Sequence, residues 1–186
     1  MIKYEDLYNE VKNILSEKRF IHTEGVIERA IEYGEIYGED KETVKLVALS
    51  HDIAKEIPKQ ERVNYAKDIG VELDEIEKTN LELIHSKVGA KICKDKYGFS
   101  DEMVNAVKYH TTGRSNMSML EKIIYLADAT EKNRNYCSQE FVVEMAKKNI
   151  DEAMFFILKW TIGNLLEQNK KIHIDTIIAY NYYNKK

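Results

Sequence analysis

The sequence predicts an all-α fold, a single-domain helical bundle, and three observations carry that expectation. Apolar residues recur at spacings of three and four in one segment after another. One proline, Pro58, and eight glycines punctuate 186 residues, far fewer turn residues than a sandwich or barrel requires. No alternating run of strand length is followed by a hairpin signal.

The elements follow in order. Residues 3–18 set Tyr4, Leu7, Val11, Ile14 and Leu15 on one helical face. A second helix is expected from Thr23, as candidate cap, to Tyr37, with His22 just ahead of it and Gly38 as its stop. A third runs from Lys41 through Val44, Val47, Ala48 and Leu49 into His51 and Asp52. After Pro58, a short helix spans Lys59–Asp68, and Val71–Ile84 holds one or two helical turns. Ser86–Tyr97 is helical, and the next helix is capped by Ser100 and ends at Tyr109-His110. Thr111–Arg114 is a loop, and Ser118–Ala129 an apolar helix reaching Asp128. Helices at Ser138–Lys147, at Ile150–Gln168 with Phe156, Ile157 and Trp160 among its apolar residues, and at Asp175–Tyr183 complete the chain.

Composition narrows the function. The 44% hydrophobic and 32% charged fractions are those of a globular protein able to bury a core. A formal charge of −4 argues against a general nucleic-acid binder, whose affinity comes from clustered Lys and Arg. A small phosphorylated substrate needs only a few local cations. Cys93 and Cys137 form no CxxC pair and are too few for a disulfide framework, so both are expected to be core thiols. The N-terminal residues lack a signal pattern and no run of about 18 apolar residues occurs. A cytoplasmic protein without membrane contact is therefore expected, and a homodimer is compatible with the sequence but not derivable from it.

The chemistry concentrates at helix ends. Of the five histidines, His22, His51, His85 and His110 stand at or beside an expected helix terminus, and Asp52 and Asp128 end apolar helical runs. Burying such groups without partners costs roughly 2–7 kcal/mol for a polar group and more for a charge. Any one histidine alone reads as an ordinary hydrogen-bonded core residue. Six polar groups at the inner ends of several helices point to a shared ligand, as bundle proteins build metal sites from facing helices. Imidazole with carboxylate suits iron, manganese, cobalt or zinc, whereas Ca²⁺ and Mg²⁺ take mostly oxygen. Six ligands suit two ions with a bridging carboxylate better than one ion with an open position. Asp52, beside His51, is the natural bridge and is expected to be catalytic. His173 lies outside this pattern and reads as a surface or loop residue.

The strings Arg19-Phe20-Ile21-His22-Thr23, Leu49-Ser50-His51-Asp52-Ile53-Ala54-Lys55, Ile84-His85-Ser86-Lys87-Val88-Gly89-Ala90, Tyr109-His110-Thr111-Thr112-Gly113-Arg114 and Leu120-Glu121-Lys122-Ile123-Ile124-Tyr125-Leu126-Ala127-Asp128 resemble, in that order, the HD-domain metal-dependent phosphohydrolases. More narrowly, they resemble the bacterial YqeK family of symmetrical bis(5′-nucleosyl)-tetraphosphatases. The motif-bearing part spans about residues 16–136, and Thr130-Glu131-Lys132-Asn133-Arg134 departs from the Glu-Pro pair that members tend to carry.

The resemblance implies an HD-type bundle in which a metal-bridging hydroxide cleaves diadenosine tetraphosphate into two ADP. It implies two transition-metal ions, iron first: His22, His51, Asp52 and Asp128 hold one, and Asp52, His85 and His110 the other. Lys55, four residues after His51, shares its face if the helix continues, and is expected to bind phosphate and stabilise the transition state. Thr111, Thr112, Gly113 and Arg114 offer hydroxyls, free amides and a guanidinium for phosphate. Arg19, Lys87 and Arg134 are further candidates, and Tyr109, Tyr125 or Tyr136 could stack on a base. Other nucleotides are alternative substrates for the same site: nucleoside monophosphates, cyclic dinucleotides or guanosine alarmones. A non-catalytic nucleotide-sensing module is the reading from another class.

Overall fold

In the computed structural model, residues 2–134 and 139–185 are described. Among them the helices are α1 Tyr4–Ile14, α2 Glu17–Tyr37, α3 Lys41–Ser50, α4 Arg62–Asp68, α5 Glu75–Thr79, α6 Ile84–Tyr97, α7 Asp101–Lys108, α8 Met119–Thr130, α9 Gln139–Lys148, α10 Ile150–Glu167 and α11 Ile174–Tyr183. No strand occurs among the described residues, as the all-α expectation requires. Tyr136, Cys137 and the expected helix start at Ser138 lie outside them.

Helix α8 is the axis. It is apolar almost all round and buries Leu120, Ile123, Ile124, Tyr125, Leu126 and Ala127, so it must be covered on every side. Helices α2, α3, α7, α9 and α10 supply that cover. Its start is fixed by a reciprocal cap: Ser118 Oγ accepts from the Glu121 amide, and the Glu121 carboxylate accepts from the Ser118 amide at 2.8 Å. The main core adds Leu7 and Val11 from α1, Val26, Ala30 and Tyr33 from α2, Val44, Val47 and Leu49 from α3, and Met154 and Leu158 from α10. A smaller cluster of Ala54, Ala66, Ile84 and Val88 sits beneath α4 and α6. Cys93 is a buried free thiol, its pKa pushed up to about 12 by burial.

Several expected boundaries move, each for a local reason. Helix α1 stops at Ile14, because Leu15 and Ser16 are extended, and α2 begins at Glu17 rather than Thr23. Thr23 is no cap: its hydroxyl donates to the Arg19 carbonyl inside the helix. His22 therefore lies within α2, one turn beyond Arg19, and both project from the same side. Helix α3 does not continue to Lys55. The Ser50 hydroxyl donates to the Leu46 carbonyl and the His51 ring takes the Ala48 carbonyl, so the last carbonyls are used by side chains. The chain then tightens into three-residue turns, with amides of Ile53 and Lys55 donating to Ser50 and Asp52.

His173 is buried, at 5% exposure, and is not a surface residue. It sits at the N-cap of α11, where Nδ1 accepts from the Asp175 amide and Nε2 donates to Asp74 Oδ2 at 2.7 Å. On α10 the buried residues are Ile150, Ala153, Met154, Ile157 and Leu158, while Trp160 is 41% exposed. Ile124 lies wholly inside α8's packing, so Ile124→Ala is expected to cost about 2–5 kcal/mol in urea unfolding. A loss below about 1 kcal/mol would mean that α8 is not the axis of the core.

Candidate metal centre

Three histidines are held by one device. The Nδ1 atoms of His51 and His110 each donate to the carbonyl three residues earlier, Ala48 and Val107, at 2.7 Å, and His85 does the same to Glu82. A carbonyl can only accept, so the proton is on Nδ1 and Nε2 is left bare in the neutral ring. The helix ends thus aim three Nε2 lone pairs at one point. His22 is fixed differently, through Nδ1 donating to the Glu131 carboxylate at 3.2 Å.

The Asp52 carboxylate stands between the four rings, with 3% of the residue exposed. Its Oδ1 lies 3.0 Å from His85 Nε2 and 3.7 Å from His110 Nε2. Its Oδ2 lies 3.5 Å from His51 Nε2 and 3.9 Å from His22 Nε2. Asp128 Oδ1, at the last turns of α8, is 3.2 Å from His22 Nε2. All six expected ligands therefore converge, and each oxygen of Asp52 serves a different pair of histidines.

Without a cation this arrangement is unfavourable. The Nε2 atoms of His22 and His51 are buried without a hydrogen-bond partner, and those of His85 and His110 face each other at 3.2 Å. Bare lone pairs opposed to one another and to carboxylate oxygens call for positive charge among them. Donor sets of His22, His51 and Asp128, and of His51, Asp52 and His110, each lie within 4.8 Å of one another. The residues fit a group of divalent transition metals. Burial works against the charged form of Asp128, and the Arg134 guanidinium helps to hold its carboxyl down. Burial also lowers His85 to about 4, against the pull of Asp52 and helped by the charge of Lys55, leaving its ring neutral at pH 7.

The expected substrate contacts divide. Arg19 Nη1 donates to Asp52 Oδ2 at 2.9 Å, and Arg134 donates to Asp128 Oδ1 at 2.5 Å. Both line a cleft of about 650 Å³ that reaches His22. Thr111 lines a second cleft, of about 260 Å³, that reaches His110 and Asp128 and shares Arg134. Lys55 Nζ lies 3.6 Å from Glu82, whose carboxyl is brought down to about 2, against burial, by Lys59, Lys55 and Arg62.

Four expected contacts are placed elsewhere. Lys87 donates to the buried Glu77 at 2.6 Å and lines a separate groove, because Glu77 needs a cation. Arg114 is held on the buried Glu121 by Nη2 at 2.8 Å and Nε at 3.1 Å, securing the cap of α8. The Thr112 hydroxyl is buried against the Gly113 carbonyl. Gly113 adopts φ +66°, and a Cβ there would meet Ala179 at 3.3 Å, so its glycine serves the packing of α11.

Glu131 was not among the sequence candidates. It is 1% exposed, and besides orienting His22 its Oε2 accepts from the Asn133 amide. Gly25 makes room for it, since a Cβ there would fall 2.6 Å from Glu131 Oε2. The available signal was an acidic residue three positions after Asp128, masked by a polar run that reads as a solvated loop.

The HD-domain family model matches residues 19–133. The chain belongs to the HD-domain family. It is 40% identical over 92% of its length to a Halalkalibacterium halodurans protein named symmetrical bis(5′-nucleosyl)-tetraphosphatase, covering 91% of that protein. It is 36% identical to a Bacillus subtilis protein of the same name, over 92% of each. These relatives place it in the YqeK branch of the HD-domain family. Among solved structures, a Clostridium acetobutylicum protein described as a predicted HD superfamily hydrolase involved in NAD metabolism superposes with a TM-score of 0.93 at 33% identity, over 98% of this chain and 97% of that one. A second, from an uncultured Thermotogales bacterium, shares the fold at a TM-score of 0.51 and 20% identity, over 88% and 92%.

Because a carboxylate behind a ligating histidine is worth on the order of 10–100-fold in metal affinity, Glu131→Gln should weaken Mn²⁺ binding by about that factor in a calorimetric titration. Gly25→Ala should do the same by displacing Glu131. Unchanged affinity in both variants would remove Glu131 from the centre.

Proposed function

We propose that this chain is a metal-dependent hydrolase that cuts diadenosine tetraphosphate at its central anhydride, consuming one water and releasing two ADP. The relatives' names support the substrate. The observation that carries the reading is the set of bare Nε2 atoms divided between the two oxygens of Asp52. His22, His51, Asp52 and Asp128 would hold one ion, and Asp52, His85 and His110 the other. Iron is proposed first, with manganese, cobalt or zinc as metals the donors also suit. Ions held there supply a water of lowered pKa and neutralise charge on the phosphoryl oxygens.

The remaining work falls to the chain's own side chains. Arg19 and Arg134, at the mouth of the cleft beside His22, are suited to paired hydrogen bonds with phosphate oxygens. Thr111 offers a hydroxyl to the same phosphate chain from the other cleft. Lys55, close enough to His85 to depress its pKa, places positive charge where it can offset charge developing in the transition state. The rings locked by Ala48, Glu82 and Val107 need no reorganisation to present their nitrogens. Such an enzyme works on the small nucleotides of the cytoplasm.

Asp52→Ala is expected to lose bound metal by elemental analysis and to drop turnover by more than about 100-fold, the upper range for outer-shell partners. Retained metal with retained turnover would overturn the assignment of Asp52. Chromatography of the wild-type products should give ADP alone from diadenosine tetraphosphate; AMP with ATP would contradict the symmetrical cut. Faster hydrolysis of NAD, a cyclic dinucleotide or a guanosine alarmone in the same assay would replace the substrate.

A further inference from the structure

The two clefts that meet at the histidines differ in chemistry. The larger one is walled by Glu17, Lys18, Arg19, His22 and Asn133, with no Phe, Tyr or Trp among the described residues that line it. The smaller one is lined both by His110, Asp128 and Arg134 and by Tyr125, Ile157 and Trp160. A nucleotide combines the same two chemistries, anionic phosphates and a flat apolar base. The volume of about 260 Å³ is near the lower end of small-molecule sites, roughly 300–1,000 Å³, which leaves room for one nucleoside and not two.

Of the tyrosines considered for a base, Tyr109 and Tyr125 lie among the described residues. Tyr109 has its ring covered by Lys108 Nζ at 4.9 Å and by the Arg114 guanidinium at 5.3 Å. Tyr125 is 4% exposed, its hydroxyl raised by burial and bonded to Thr161, so it forms the floor of the cleft. Trp160, at 41% exposure on α10, is an aromatic residue among the described lining of this cleft that reaches solvent. A partly exposed indole lining the same cleft as Asp128 and His110 can cover a base while the phosphates reach the charged residues. Base stacking on aromatic rings contributes on the order of 1–3 kcal/mol and tolerates any base.

We infer that Trp160 and the cleft it lines form the nucleoside subsite, taking the base of one half of the substrate, while the other half lies in the charged cleft. The inference rests on the proposed nucleotide hydrolase reading. It gives the C-terminal helices a task in substrate binding, since Trp160 lies beyond the matched residues 19–133.

Trp160 is the single tryptophan of the chain, so its emission reports on this subsite alone. Titrating the metal-loaded protein with ADP should quench that emission saturably, whereas inorganic tripolyphosphate should bind without quenching it. Trp160→Leu should raise the calorimetric Kd for ADP and the KM for diadenosine tetraphosphate on the order of tenfold, with a smaller change in kcat. Tripolyphosphate affinity should not change, and Trp160→Phe should restore most of the loss. ADP that binds without altering emission, ADP that does not bind, or a Trp160→Leu variant equally weakened toward ADP and tripolyphosphate would each overturn the subsite. Quenching by ADP in a protein that leaves diadenosine tetraphosphate uncut would overturn the proposed reaction and support the subsite.

Discussion

Everything at the centre of this protein depends on one carboxylate shared by four imidazoles. Asp52 is buried where a charge is costly, and the rings around it present lone pairs rather than protons, because their Nδ1–H groups are already given to carbonyls or to Glu131. The site is electrostatically incomplete as a purely organic structure. The fold is the device that holds this incompleteness in place: three carbonyls, all three residues upstream of their histidines, set three ring orientations without using another side chain. Packing of α2, α3 and α7 around α8 then brings the rings within reach of one another.

The same bonds explain why the helices end where they do. A ring that takes the Ala48 carbonyl removes it from the backbone ladder, and α3 gives way to tight turns immediately afterwards. Ring positioning and helix termination are a single event at His51. His22 has no such terminus to use, since it lies inside α2, and a carboxylate delivered from beyond α8 takes the carbonyl's place. That carboxylate fits only because residue 25 lacks a Cβ. The tie is reinforced by Tyr33 and Arg29, whose side chains bond Thr130 and fix the segment that carries Glu131.

Around the centre, cations divide into those that face the clefts and those that stabilise the frame. Arg19 and Arg134 lie on the two aspartates and border open space, while Arg114 and Lys87 are consumed by the buried carboxylates Glu121 and Glu77. The distinction is energetic. A carboxylate at 1–2% exposure is destabilising unless a cation stays with it, and that requirement commits the cation to structure. His173 is committed in the same way, joining the start of α11 to the start of α5 through Asp74.

The all-α class, most helix spans and the six converging polar side chains were legible in the sequence, because helical periodicity and the cost of burying charge are local properties of the chain. Apolar runs ending in His51-Asp52 and Asp128 announce a shared partner whatever the tertiary arrangement. The start of α2 was not legible, since Glu17–Ile21 lacks a strong apolar face. Lys55 could not be assigned a direction, because the end of α3 is decided by competition for carbonyls. Glu131, Gly25 and Trp160 matter through neighbours more than thirty residues away in sequence or through position at a cleft rim, and no spacing rule encodes that. The partners of Arg114 and Lys87 were equally hidden, since only folding determines which carboxylates lose their water and must be neutralised. The sequence by itself determined which groups need a cation. The tertiary structure decided which oxygen faces which ring, and which basic side chains remained to meet a substrate.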